Sequence, residues 1–95
     1  MPYIPKPRRR ILLGLEPGTK PLWSAPPPTT PGELNFLLTH LCQTYVGGTG
    51  ESYSTFNDVI GALDCAKMEF YRRVVVPYED KKIAENGDVF GPDTD

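Results

Sequence analysis

The chain has 95 residues, of which 39% are apolar and 23% are charged, and its formal net charge is −2. This length allows one domain, and a chain so short buries little more than half of its unfolded surface. The sequence shows neither a signal peptide nor an apolar run of about 18 residues that could span a membrane. We therefore expect a cytoplasmic protein with no membrane partner, which gains further burial as a homo-oligomer.

Charge divides the chain into an arm and a body. Residues 1–31 carry five basic side chains and one acidic side chain, whereas residues 32–95 carry five basic and eleven acidic ones, so the balances are +4 and −6. The acidic body would be repelled by nucleic acid, and any duplex binding would have to come from the arm. A basic arm can equally lie on the acidic body of its own or a neighbouring subunit. We favour this second interpretation over a nucleic-acid partner.

The arm holds nine of the eleven prolines. Proline fixes φ and removes a backbone donor, so we expect an extended, polyproline-like or irregular segment. Residues 26–28 could also dock in a groove that recognises proline-rich peptides. Apolar side chains that would be costly to leave in water favour packing of the arm along helices, in the same or another subunit. They are Tyr3, Ile4, Ile11, Leu12, Leu13, Leu15, Leu22 and Trp23.

A first long helix is predicted from Pro31 to about Val46, because apolar residues recur at the i, i+3, i+4, i+7 spacing of one buried face. Gly47 and Gly48 should stop it and open a flexible turn over residues 47–52. This turn follows a helix and lacks the lysine of a phosphate-binding loop, so a plain helix–helix connection is favoured. The apolar positions are Leu34, Leu37, Leu38, Leu41, Cys42, Tyr45 and Val46.

A second helix is predicted to start at Ser54 or Thr55, whose hydroxyl can cap it, and to reach Val76. Pro77 disfavours helical geometry at Val76 and suits the first turn of a short third helix, which Gly87 would end. The positions expected to line the core are Phe56, Val59, Ile60, Leu63, Cys65, Ala66, Phe70 and Val74, with Val89 and Phe90 as anchors of the tail.

These elements predict an all-α fold in three parts. The irregular proline-rich arm covers residues 1–31, a helical domain covers residues 32–90, and an acidic tail covers residues 91–95. Within the domain, a helical hairpin from about 32 to 76 is followed by the short C-terminal helix.

The residues usual in catalysis are few and scattered. Cys42 and Cys65 lie in apolar helical patterns, so buried free thiols are favoured over a disulfide or a reactive cysteine. His40 is the single histidine and suits the polar face of its helix better than the role of a base. The acidic residues form no paired set with catalytic or metal-binding spacing. We expect a protein that is not an enzyme and that binds no cofactor or metal.

Residues 71–86, here called the basic–aromatic segment, contain the candidate ligand-binding side chains. Arginine binds phosphate bidentately, lysine adds point charges, and tyrosine can stack on a base. A purely structural interpretation stays open, because cations suit a helix C-terminus and Glu69 to Arg73 is an ordinary i, i+4 pair. The candidates are Tyr71, Arg72, Arg73, Tyr78, Lys81, Lys82 and Asn86.

The sequence resembles a family of small, functionally unassigned proteins encoded by tailed phages and prophages. The resemblance lies in residues 1–4 (MPYI), 31–36 (PGELNF), 57–73 (NDVIGALDCAKMEFYRR), 77–82 (PYEDKK) and 85–90 (ENGDVF). It implies a phage protein that works in the cytoplasm of the infected bacterial host. It transfers no known catalytic residue.

Two functions follow as expectations. In the first, the protein is an anti-defence sponge that binds and sequesters a nucleotide-derived host immune signal, such as a cyclic nucleotide or an ADP-ribose-type molecule. In the second, it is a structural or adaptor protein of the phage particle or its replication machinery, whose arm threads a neighbouring subunit. Alanine at Arg72 and Arg73 should abolish binding in the first case, whereas loss of residues 1–30 should dissociate the assembly in the second.

Overall fold

The computed structural model describes residues 3–21 and 24–91. No strand occurs in these two ranges, so the prediction of an all-α chain is confirmed. In chain order the elements are α1 (Lys6–Leu12), α2 (Pro31–Thr49), α3 (Tyr53–Phe70), a π-helical segment (Tyr71–Val75) and α4 (Val76–Asn86).

The first helix, α1, lies in the proline-rich arm, where the sequence pattern predicts no helix. Pro7 occupies its first turn, where a missing backbone donor costs little. After this helix Gly14 has a φ of +71°, and a Cβ atom at Gly14 would overlap the backbone of Lys20, so only glycine permits this close approach. The predicted anchors Leu22 and Trp23 lie outside the described residues.

The start of α2 agrees with the prediction. The Thr30 hydroxyl accepts a hydrogen bond from the backbone N–H of Glu33 at 3.1 Å. In return, the Glu33 carboxylate accepts one from the N–H of Thr29 at 2.9 Å. Pro31 occupies the first turn and needs no partner there. One N–H group that the helix start leaves unpaired, that of Glu33, is therefore satisfied locally, and the N–H of Thr29 just before the cap is satisfied as well.

The prediction that Gly47 and Gly48 stop this helix is wrong. The helix continues to Thr49 and ends at Gly50, which has a φ of +99° and donates its N–H to the Val46 carbonyl at 2.7 Å. Glycine costs only about 1 kcal/mol in a helix and introduces no clash. The helix therefore stops where the backbone takes a conformation open only to glycine.

The cap of α3 lies earlier than predicted. The Ser52 hydroxyl accepts the N–H of Thr55 at 3.0 Å, and α3 begins at Tyr53. A capping oxygen reaches the amide two or three residues ahead, so Ser52 performs the role expected of Ser54 or Thr55. Thr55 is buried in this first turn, where its hydroxyl lies 3.0 Å from that of Ser52.

The predicted break before Pro77, with a short separate helix after it, is wrong. Val76 is helical, with φ −60° and ψ −49°, and the last helix is long because α3, the π-helical segment and α4 follow one another without interruption. Proline in a regular α-helix clashes with the carbonyl four residues earlier, here that of Arg73. The π-helical turn, in which Val76 donates to the Tyr71 carbonyl five residues earlier, widens the helix at this point and accommodates the ring.

The end of α4 agrees with the prediction. Gly87 has a φ of +88° and donates its N–H to the Ile83 carbonyl at 2.8 Å, which closes the last turn at Asn86. Val89 and Phe90, which were expected to anchor the tail, are 75% and 84% exposed. Within one chain they anchor nothing.

The described part of the chain buries no apolar side chain, and Thr55 is the one residue there that is buried. The prediction that the apolar helix faces are buried within the chain is therefore wrong. Helical spacing identifies an apolar face but not what covers it. Cys42, Val46, Val59 and Cys65 are half-buried, and both cysteines are free thiols. The residues of the predicted apolar faces that are exposed are Leu34, Leu37, Leu38, Leu41, Tyr45, Phe56, Ile60, Leu63, Ala66, Phe70 and Val74.

The chain separates into two compact units, Met1–Ile60 and Gly61–Asp95. In the first unit the Tyr45 hydroxyl donates to the Asp58 carboxylate at 3.2 Å, which links α2 to the beginning of α3. The second unit contains the whole basic–aromatic segment. Of the helices within residues 3–21 and 24–91, none is both long enough and apolar enough to cross a bilayer.

Candidate anion-binding segment

The candidate residues are distributed along one helical stretch. At about 1.5 Å of rise per residue, Tyr71 and Asn86 are separated by roughly 20 Å along the helix axis. The candidates therefore do not converge on one small ligand within a single chain. Tyr71, Arg72 and Arg73 lie in the π-helical segment, and Tyr78, Lys81, Lys82 and Asn86 lie in α4.

The two arginines meet at one carboxylate. Arg72 donates from Nη2 to both oxygens of Glu69, at 3.2 and 3.3 Å, and Arg73 Nη1 lies 3.9 Å from the Glu69 Oε1 atom. The arginine side chains are about two-thirds exposed, whereas that of Glu69 is 27% exposed. The Glu69 carboxylate therefore lies close to both guanidinium groups.

Tyr71 forms the second contact of the segment. Its hydroxyl donates to Glu79 Oε1 at 2.9 Å. This hydrogen bond, the negative charge of Glu79 and slight desolvation raise the pKa of Tyr71 above its ordinary value of about 10. Because folding favours the protonated phenol, its contribution to stability is complete below pH 10 and is lost as the pH rises through the raised pKa.

Tyr78 and Lys82 form the third contact. The Lys82 Nζ lies 5.4 Å from the centroid of the Tyr78 ring and 3.3 Å from the Glu85 carboxylate. The lysine charge thus already occupies one face of the ring. Tyr78 is 60% exposed, so a base could stack only on the remaining face of the ring.

Two further candidates have no side-chain partner within the part of the chain that the structure describes. Neither Lys81 nor Asn86 makes a side-chain hydrogen bond or ion pair among the described residues. The Tyr71–Glu79 bond shows that positions eight apart align across the π-helical turn. Arg73 and Lys81 have the same spacing, so they lie on one side of the helix as a row of two positive charges.

A feature not predicted from the sequence lies at the start of α3. An open hollow of about 370 Å³ is lined by Glu51, Ser52, Tyr53 and Phe56. It contains none of the candidate residues. Its sequence signal is Tyr53, a large aromatic residue directly after the cap, which is 87% exposed. The predicted helix start, at Ser54 or Thr55, lies after Tyr53, so the sequence pattern did not indicate a hollow at this position.

The described residues include histidine, cysteine and acidic side chains, which are the usual metal ligands. Within them no three or more histidine, cysteine and acidic side chains come together as metal ligands. The His40 ring contacts that of Phe36, with centroids 4.4 Å apart, and is exposed. The chemistry available in the basic–aromatic segment is anion binding by guanidinium and ammonium groups, supported by aromatic rings.

Fold and segment together define a small helical protein that presents a cationic and aromatic surface on one long helix. The chain belongs to the family described as a domain of unknown function, DUF6899, whose model matches residues 1–89. Membership of a functionally unassigned family is thus confirmed, and the phage setting stays a prediction. Neither the curated proteins nor the solved structures gave a significant match to this chain.

Proposed function

We propose that this protein acts without catalysis and that its basic–aromatic segment captures a phosphate-bearing, nucleotide-derived molecule. In the phage setting expected from the resemblance, that molecule is a host immune signal, and its sequestration is an anti-defence activity. The observation that carries the proposal is the convergence of Arg72 and Arg73 on the Glu69 carboxylate.

A carboxylate and a phosphate offer arginine similar pairs of oxygen acceptors. The geometry at Glu69 supports the proposal because it brings both guanidinium groups within reach of one anionic group. A phosphate carries more negative charge than a carboxylate, so it offers the two guanidinium groups a stronger acceptor. Lys81, roughly 12 Å from Arg73 along the axis at about 1.5 Å per residue, supplies a further positive charge only for a ligand long enough to extend along the helix.

The length of the segment supports binding between subunits. One chain offers a small ligand either the arginine end or the Tyr78 end, which lie roughly 10 Å apart at about 1.5 Å per residue. A second copy can bring the missing groups to the same ligand. We therefore propose a homo-oligomer as the binding form.

The test is the thermal stability of the full-length protein against cyclic dinucleotides, cyclic trinucleotides and ADP-ribose-type molecules. A ligand at about 100 times its dissociation constant adds about 2.7 kcal/mol to the free energy of unfolding. For a domain of this size the melting temperature then rises by roughly 10 °C or more. One compound should give such a shift, and the variant with Arg72→Ala and Arg73→Ala should not.

The matched control removes two positive charges elsewhere. Arg8 and Lys20 are exposed residues of the arm, so Arg8→Ala with Lys20→Ala should leave the ligand-induced shift intact. Equal loss of the shift in both double variants would mean that net charge alone attracts the ligand. A shift that survives in the arginine variant would overturn the assignment of these arginines.

An adaptor of the phage particle or replication machinery is the second candidate. The exposed Val89 and Phe90 favour it, since adjacent apolar side chains of this size are typical of contacts with another protein. This function predicts no thermal shift with any nucleotide. It also predicts binding to a phage component that is lost on Phe90→Ser and retained with Arg72→Ala.

A further inference from the structure

Glu69 borders the place where the arginine pair, Arg72 and Arg73, would hold a phosphate. Arg72 Nη2 donates to both Glu69 oxygens at 3.2 and 3.3 Å, and Arg73 Nη1 lies 3.9 Å from the Oε1 atom. A phosphate that accepts from these same nitrogens at about 2.9 Å has an oxygen within roughly 7 Å of the carboxylate. Whatever ligand the arginine pair binds therefore has Glu69 as a neighbour.

The contact between Glu69 and the arginine pair is loose. One nitrogen of Arg72 serves both oxygens, and the 3.9 Å separation from Arg73 is too long for a hydrogen bond. Charge-assisted hydrogen bonds are usually about 2.7–2.9 Å long, and the strongest arginine–carboxylate pairs use two parallel bonds. Glu69 therefore does not hold the guanidinium groups rigidly, and a phosphate can take their donors from it.

A carboxylate that loses a donor in this position needs another one. The Glu69 side chain is 27% exposed, whereas the arginine side chains are about two-thirds exposed, so water reaches the carboxylate less than it reaches the guanidinium groups. A partly buried anion without a hydrogen-bond donor is costly. An ionised carboxylate can only accept hydrogen bonds. The part of the ligand that lies next to the phosphate must therefore be a donor.

A ribose hydroxyl meets this requirement. In a ribonucleotide linked through its 3′-oxygen, the 2′-hydroxyl is on the neighbouring carbon and lies beside the phosphate. Acidic side chains accept hydrogen bonds from ribose hydroxyls in dinucleotide-binding folds. A 2′-deoxyribonucleotide has no donor at this point and would leave the carboxylate without a partner from the ligand.

We propose that Glu69 determines the specificity of the anion site by accepting a hydrogen bond from the ribose 2′-hydroxyl beside the bound phosphate. The ligand class is then a ribonucleotide with a phosphate on its 3′-oxygen, which includes the cyclic ribonucleotides linked through that oxygen. This inference rests on the proposed function, because it takes phosphate binding by Arg72 and Arg73 as given. It adds to the site a residue that lies outside the basic–aromatic segment.

The experiment compares adenosine 3′-monophosphate with its 2′-deoxy counterpart. Their dissociation constants for the full-length protein are measured by NMR titration of the labelled arginine side chains. The ribonucleotide should bind about tenfold more tightly, which is the effect of one hydrogen bond to a charged group. Equal affinities would overturn the inference and leave phosphate capture in place. Failure of both compounds to bind would overturn it as well.

Glu69→Ala removes the acceptor and should lower the affinity ratio of the two compounds to about one. Alanine is the best helix former, so the helix is retained. The 2′-deoxy compound should bind this variant at least as tightly as it binds the wild type, because a negative charge beside its phosphate is gone. An equal loss of affinity for both compounds would mean that Glu69 only positions the arginines, and it would overturn the proposed role.

Glu85→Ala is the matched control. Glu85 pairs with Lys82 in α4 at 3.3 Å, so this variant also removes the acidic member of an exposed ion pair. It should leave the affinity ratio at about tenfold. If it lowered the ratio as far as Glu69→Ala does, the assignment of the hydroxyl to Glu69 would be wrong.

The thermal stability measurements decide separately about the proposed function. If no nucleotide in that series raised the melting temperature, phosphate capture itself would be overturned. If a ribonucleotide and its 2′-deoxy counterpart raised the melting temperature equally, capture would stand and only the role of Glu69 would be overturned.

Discussion

Replacing Thr30 by alanine should destabilise the start of α2 by a measurable amount. The Thr30 hydroxyl accepts the Glu33 N–H at 3.1 Å, and Thr30→Ala leaves that amide without its partner. Loss of such a cap costs about 1 kcal/mol. At about 2.1 cal/mol/K per residue, the unfolding entropy of the 95-residue chain is roughly 0.2 kcal/mol/K, so the melting temperature should fall by about 5 °C.

The assay is thermal unfolding followed by circular dichroism at one protomer concentration, because association also shifts the melting temperature. Thr39→Ala is the matched control. Thr39 lies inside α2, where its hydroxyl donates to the Asn35 carbonyl at 2.8 Å, and alanine is the better helix former there. It should leave the melting temperature unchanged or raise it slightly.

A second variant separates the cap from the size of the side chain. Thr30→Asn keeps an oxygen that can accept the Glu33 amide, so it should retain most of the stability. The capping explanation is refuted if Thr30→Asn falls as far as Thr30→Ala, or if the alanine variants at Thr30 and Thr39 shift alike.

Two further predictions concern the long helix and the glycines of α2. Glu79→Gln removes the negative charge beside the Tyr71 hydroxyl, so the pKa of Tyr71 should fall toward its ordinary value in an NMR titration of labelled tyrosine, whereas Glu85→Gln should leave it in place; equal effects would contradict the assigned contact. Gly50→Ala forces alanine into a conformation with φ +99° and ψ 150°, so it should lower the free energy of unfolding by about 1–3 kcal/mol. Gly47→Ala lies in open space inside the helix and should raise the free energy of unfolding by up to about 1 kcal/mol. Chemical denaturation measures both. A reversed order of the two glycine variants would contradict the observed end of α2.

Local signals predicted the ends of helices best where a side chain or a φ angle decides them. The start of α2 follows from Thr30, Pro31 and Glu33, and the end of α4 follows from Gly87, because each acts within one turn. The predicted end of α2 at Gly47 and Gly48 was wrong, because glycine permits a helix to end but does not require it. The burial of the apolar helix faces was mispredicted, because burial requires a second surface that covers the face and helical spacing does not reveal that surface.

The candidate segment was predictable in composition and not in arrangement. Arginine and tyrosine near Pro77 indicated an anion-binding chemistry, and the structure places these residues on one helix. The pairs of Glu69 with Arg72 and Arg73 have ordinary helical spacing, whereas the pairing of Tyr71 with Glu79 depends on the extra residue in the π-helical turn. No residue type marks such a turn, so a helical period of 3.6 gave no means of finding it.

The π-helical turn has a consequence for how the family should be compared. In this turn the hydrogen bond spans five residues in place of four. Side chains after Val75 therefore lie about one residue out of step with those before Tyr71, compared with a regular α-helix. A relative that lacks one residue between 71 and 75 would place the equivalents of Tyr71 and Glu79 seven residues apart, which is about two turns of a regular α-helix, so the two positions would stay aligned without a π-helical turn. The length of this short stretch and its winding therefore change together, and a relative with one residue fewer can keep the same side chains of α4 beside those of the preceding helix.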